Sequence, residues 1–187
     1  RCKRDASDES TFCWQHVGHV KADAQPQAVT PTATSDVRWR TITKVVDGDT
    51  VILDGDERVR LIGIDSPEIH DGAKLDADAK RTARDKETIK ELGAHASTFT
   101  TKLCEARKVW LEFDLTVKDQ YGRTLAYLHL EDGRIVNLEI LKAGFANAYT
   151  SFPFKYMEEY RAAEKEAKAA YRGLWGPEPG KKSRHND

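Results

Sequence analysis

Apolar residues recur along this chain in two rhythms, a short one suited to strands and a longer one suited to helices. β-branched and aromatic residues run from Val37 to Val46, Asp47-Gly48-Asp49 interrupts them, and Thr50-Val51-Ile52-Leu53 resumes the run. Asp54-Gly55-Asp56 is a hairpin signal, and Arg58 to Ile64 follows as a third strand. Three closely spaced strands with tight turns predict an antiparallel meander. The period then lengthens. Ile89, Leu92, Ala96, Phe99 and Leu103 recur at helical spacing, which predicts a helix over at least Lys86 to Leu103. The charged stretch 69–85 reads as a loop or as an extension of that helix, the loop being the simpler expectation.

Lys108 to Val117 and Thr124 to Leu130 predict two more strands, and Arg134 to Val136 is a candidate short one. Asn137 is placed to cap a short helix through Leu138 and Leu141, which Gly144 would end. A last helix is expected from Met157 to Arg172, with Tyr160, Ala163, Ala167, Ala170 and Tyr171 on its buried face and Trp175 folded back on the core. The sum is an α+β domain. A five-stranded, partly open OB-fold-like β-barrel with about three helices suits this order, although the strands alone leave other small barrels open.

Composition bounds the picture. At 187 residues with 39% apolar content the chain can bury one good core. Residues 1–36 are polar, and Lys21 to Ser35 is an Ala/Thr/Pro/Gln run without apolar period, so they read as a flexible N-terminal arm. The folded domain is expected over 37–176, with a charged, disordered tail over 177–187. A formal net charge of −1 gives no global support for nucleic-acid binding, so any electrostatic footprint must be local. No run approaches the roughly 18 apolar residues of a membrane span. Cys2 and Cys13 could close a small disulfide loop, join His16 and His19 around zinc, or stay unpaired thiols, while Cys104 reads as a small core residue.

Candidate chemistry gathers around Arg58–Glu68. Leu61, Ile62 and Ile64 form a rigid apolar element, and Ser66-Pro67 turns the chain so that Asp65 and Glu68 can face one space. A carboxylate at the end of a buried strand needs compensation of its charge. Strict alternation puts Arg60 and Asp65 on opposite faces; if both serve one site, the strand must bend, and Gly63 is the natural place. In Asp47-Gly48-Asp49 two acids flank a flexible glycine, which alone is only a turn. Arg123, in Tyr121-Gly122-Arg123, has a solvated loop arginine as its plain reading, and Tyr149 that of a core aromatic with its hydroxyl at the surface.

Together the motifs are far more specific. Lys44-Val45-Val46-Asp47-Gly48-Asp49-Thr50-Val51, then Arg60 to Glu68, then Asp119-Gln120-Tyr121-Gly122-Arg123-Thr124-Leu125-Ala126-Tyr127 resemble the staphylococcal nuclease (thermonuclease) family, over roughly Val37 to Gly176. The resemblance implies a phosphodiesterase that uses one Ca²⁺ ion, hydrolyses DNA and RNA and acts as a monomer. It implies that Asp49, Asp65 and the Ser66 carbonyl bind the metal, with Asp47 behind them. Arg60 and Arg123 would hold the scissile phosphate, Glu68 would act on the attacking water, and Tyr121 and Tyr149 would line the nucleotide pocket.

Residue chemistry agrees with the metal. Four carboxylates against two arginines leave −2, which would repel a phosphodiester unless a divalent cation joined them, and all-oxygen donors favour Ca²⁺, Mg²⁺ or Mn²⁺ over zinc. The family's staphylococcal member has a lysine where Gln120 stands and a second pocket tyrosine where Ser151 stands; both changes weaken substrate holding rather than chemistry. Two rivals remain beside the nuclease: a non-catalytic nucleic-acid- or protein-binding module on the same barrel, and a barrel whose acids bind a structural ion. Such nucleases are often secreted, periplasmic or held at the cell envelope, and the arm with its two cysteines is compatible with export.

Overall fold

The computed structural model describes residues 38–176. The arm, with Cys2, Cys13, His16 and His19, and the tail lie outside the described residues. In chain order the elements are β1 (Arg40–Asp47), β2 (Thr50–Leu53), β3 (Arg58–Leu61), β4 (Ile64–Asp65), α1 (Ala73–Thr82), α2 (Lys86–Cys104), β5 (Lys108–Glu112), β6 (Thr124–Leu130), α3 (Val136–Lys142), β7 (Asn147–Ala148), α4 (Met157–Ala169) and a 3-10 turn (Gly173–Trp175).

The expected meander is present, since β2 pairs antiparallel with both β1 and β3. β5 and β6 form a second antiparallel pair. The pairs join along two seams: β1 meets β5 antiparallel with Arg40 opposite Val109, and β3 meets β6 parallel with Val59 opposite Thr124. The result is a closed barrel in the order β1-β2-β3-β6-β5, an α+β domain with an OB-like barrel. Alternate residues of the strands fill the interior, among them Ile42, Val51, Val59, Leu61, Val109 and Ala126. From Ala126 onward β6 is buried on both faces, because α3 packs against it. Cys104 is a buried free thiol, as its place at the end of the apolar helical pattern predicts.

Several sequence expectations need correction. The charged stretch after Glu68 is neither a loop nor an extension of α2 but carries a separate helix, which makes four α-helices among the described residues rather than about three. Ala83 breaks it with a left-handed φ of 53°, and the Asp85 side chain then caps α2 by accepting from the Thr88 N–H at 2.9 Å. Charge hid α1, because its one fully buried apolar side chain is Leu75 and one residue makes no period. β5 stops at Glu112 rather than Val117, and Arg134 to Val136 contributes only an isolated bridge between Ile135 and His129. Asn137 is not a cap. α3 starts at Val136 behind an Ile135 N-cap that offers no side-chain bond, and the Asn137 amide is fully buried among strand ends instead. α4 ends at Ala169, leaving Ala170 and Tyr171 exposed instead of on the core face with Tyr160, Ala163 and Ala167. Trp175 does fold back, with the Lys168 ammonium 4.4 Å from its ring centre.

Candidate active site

The site begins with a bend. Gly63, between β3 and β4, has φ +76°, a conformation that side-chain-bearing residues rarely adopt. It carries no side chain because a Cβ there would lie 2.6 Å from the Phe154 ring. Past it the chain turns far enough that Asp65 comes round to the face of Arg60. The guanidinium bridges the bend, with Nη1 donating to the Ile64 carbonyl at 2.9 Å and Nη2 to Asp65 Oδ1 at 3.3 Å. The Tyr149 N–H closes on the Gly63 carbonyl at 2.9 Å, and β7 pairs with β4, so the segment carrying Tyr149 is tied to the same bend.

Asp49 is the buried anchor of the cluster, 2% exposed. Its Oδ2 accepts from the Ser66 backbone N–H at 2.8 Å and from Ser66 Oγ at 3.0 Å, and stands 3.0 Å from Arg60 Nη1. Burial pushes the Asp49 carboxyl up, but Arg60, Lys74 and the Ser66 N–H outweigh it and hold it below the usual carboxylate value. Asp47 stands behind, its Oδ1 accepting from the Asp49 N–H at 3.0 Å. There burial comes first, the Asp49 charge adds to it, and the Asp47 carboxyl is raised to about 6.

A residue that the sequence did not point to completes the group. Lys74, second in α1, sets its Nζ 3.0 Å from the Ser66 carbonyl and 3.1 Å from Asp65 Oδ1. Burial lowers its pKa, yet Asp49 and Asp65 more than offset this, so the ammonium is held charged. Nothing in the pattern of the charged stretch marked this lysine. Only the docking of α1 beside the bend brings it in, and with it the formal charge of Asp47, Asp49, Asp65 and Arg60 rises from −2 to −1.

Glu68 lies one turn further on. Its Oε1 accepts the N–H groups of Ile69 and His70 at 2.9 and 3.0 Å. This turn rests on α2 at Gly93, where a Cβ would come within 2.9 Å of the Pro67 carbonyl oxygen. The structure thus unites Asp49, Arg60, Asp65, Ser66 and Lys74, with Asp47 behind.

Arg123 and Tyr121 form a neighbouring group at the mouth of β6. Arg123 Nε donates to Asp119 Oδ2 at 2.7 Å, and the guanidinium lies 5.5 Å from the Tyr121 ring centre. Asp119 also accepts the N–H groups of Tyr121 and Arg123, which shapes the loop. Both residues line an open cleft with Arg58, Lys118 and Thr124. The parallel rung Arg60–Leu125 puts Arg123 on the outward face that Arg60 occupies, two residues back along the next strand. Among the described residues no hydrogen bond joins the two groups. Tyr149 is half exposed, its ring centre 6.2 Å from that of the exposed Phe152.

The donor set suits a hard divalent cation. Asp65 Oδ1 and the Ser66 carbonyl already hold one point charge between them, the Lys74 ammonium, which stands in for such an ion. With two carboxylates only, the group fits a loosely held, water-rich ion. Among the described residues no three His, Cys, Asp or Glu side chains converge as a metal cage.

Barrel, bend and this face together define a small-barrel protein that carries paired carboxylates and guanidinium groups on one side. The staphylococcal nuclease homologue model matches residues 58–177, and the chain belongs to that family. It is 38% identical over 149 residues to the thermonuclease of Staphylococcus intermedius, covering 76% of this chain and 80% of that one. To the thermonuclease of Staphylococcus hyicus it is 35% identical over 138 residues, covering 72% and 73%. It also matches endonuclease YhcR of Bacillus subtilis, at 33% identity over 142 residues, but there covers only 11% of the longer protein. No described helix is long and apolar enough to cross a membrane.

Proposed function

We propose that this protein is a Ca²⁺-dependent, sugar-nonspecific endonuclease that hydrolyses phosphodiester bonds in DNA and RNA. The observation that carries the reading is the bend at Gly63, which gathers Arg60, Asp65 and the Asp49–Ser66 pair on one face with a cation held between Asp65 and Ser66. The names of its relatives, thermonuclease and endonuclease, support the same class of reaction. Asp49, Asp65 and the Ser66 carbonyl would hold the ion, and Asp47 steadies the Asp49 backbone from behind. Bound there, Ca²⁺ would offset the charge of the scissile phosphate and leave its phosphorus more open to attack.

The protein's own groups do the rest. Arg60 and Arg123 grip the phosphate oxygens; planar guanidinium forks match them, and they gain strength as charge builds in the five-coordinate transition state. Glu68, fixed through one oxygen by two backbone N–H groups, orients the attacking water and accepts its proton. Tyr121 and Tyr149 wall the nucleotide on either side. In the metal-free protein each arginine already has a carboxylate partner, Asp49 and Asp65 for Arg60 and Asp119 for Arg123, so phosphate must win them in competition.

The test is direct. Single-stranded DNA, duplex DNA and RNA are incubated with the protein in Ca²⁺ or in chelator, and again with Glu68→Gln. Cleavage that requires Ca²⁺ and falls by orders of magnitude in the variant is expected. Binding without any Ca²⁺-dependent cleavage would instead identify a binding module on the same barrel.

A further inference from the structure

Lys74 has no part in the chemistry just described, yet its ammonium occupies the space between two of the proposed metal donors. Its contacts to the Ser66 carbonyl and Asp65 Oδ1, at 3.0 and 3.1 Å, are those of a point charge using two of its three N–H donors. A divalent ion seated on the same two oxygens would meet the ammonium at close range and repel it. Building on the proposed metal site, we propose that Lys74 is a built-in counter-cation: it closes the site in the metal-free protein, and a divalent ion binds only by displacing it.

The local structure suits such an exchange. Gly72 opens α1 without any side-chain cap, and open space surrounds it, so the first turn is lightly held at its start. Leu75, the next residue, is fully buried and pins the helix to the domain. On the adjoining turn Lys90 of α2 pairs with Asp71 at 2.9 Å, and further along Lys86 pairs with Asp76. These anchors stay in place while the Lys74 side chain, 41% exposed, swings out on its four-carbon stem. Arg60 is not free in the same way. It is 16% exposed and tied to the bend through the Ile64 carbonyl, so it stays when the ion arrives.

The exchange links two properties reciprocally. Whatever Lys74 adds to the stability of the metal-free protein it subtracts from the affinity for the ion. For a half-exposed pair this amounts to about fivefold in affinity.

Calorimetric titration of the full chain with Ca²⁺, without nucleic acid, tests this on the parent, Lys74→Met and Lys74→Gln. Thermal midpoints are recorded in chelator and in Ca²⁺. Both variants should bind Ca²⁺ about fivefold more tightly than the parent, and both should melt lower than it in chelator. Having two variants guards against one that fails to fold. Equal or weaker Ca²⁺ binding by the variants would overturn the displacement while leaving the metal site standing. If no form binds Ca²⁺, the metal site itself falls, and the role of Lys74 falls with it.

Discussion

Arg60 and Asp65 lie 3.3 Å apart on one face of the barrel, although five residues of regular strand would set them on opposite sides. The left-handed backbone at Gly63 accounts for this, and the crowding of Phe154 explains why no side chain stands there. Gly63→Ala therefore meets both a strained φ and a clash. It should destabilise the protein by about 2 kcal/mol or more. Its activity at a temperature where it is still folded should fall further than the folded fraction explains, because the bend sets the Arg60–Asp65 geometry. Urea unfolding beside a nuclease assay separates the two losses.

Arg123 is held by a partly exposed pair with Asp119, and such pairs contribute at most about 1 kcal/mol to stability. Arg123→Lys keeps the charge and loses the planar fork. Turnover should drop about 100-fold while the thermal midpoint barely moves. Unchanged turnover would remove Arg123 from the phosphate site.

Asn137 joins the barrel to α3 with a fully buried amide. Its Nδ2 donates to the Ile62 carbonyl at 2.9 Å and to that of Ala126 at 3.3 Å, while its Oδ1 accepts the Leu128 N–H at 3.2 Å. Asn137→Ala leaves these backbone groups unsatisfied in the interior and should cost about 3 kcal/mol, read from denaturant unfolding. Chemistry is not expected to suffer below the lowered melting temperature.

His129 gives a pH dependence remote from the bend. Burial lowers its pKa, and the Glu112 carboxylate 2.7 Å away only partly restores it. Above about pH 6.5 the ring is neutral in both folded and unfolded chains, and its stabilising effect is fully present. As pH falls below that value the unfolded chain takes up the proton first, so stability declines until the folded ring titrates. Trp110 stacks on the ring, so His129→Gln changes the absolute stability. The loss between pH 7 and pH 5, measured by unfolding at both, should nonetheless be smaller in the variant than in the parent.

Local pattern determined much of this protein. The short apolar run from Thr124 to Leu130 marked a strand with both ends correct, and the 3.6-residue period from Ile89 to Leu103 marked α2. Turn residues separated β1, β2 and β3, and three motifs in register pointed to the family and to each candidate side chain except Tyr149. These signals survive in the sequence because each depends on neighbours a few residues away. Tertiary structure alone decided what depends on distant segments meeting. The parallel seam of Val59 with Thr124 closes the barrel and sets Arg123 beside the face of Arg60. Asn137 looked like a helix cap, but packing against β6 turned its amide to the strand ends. Lys74 is one charge among many in a polar stretch until α1 docks, and it then becomes the cation between Asp65 and Ser66. Periodicity records which face of an element is apolar; it carries no record of which polar side chain that element will bring to a site formed elsewhere in the chain.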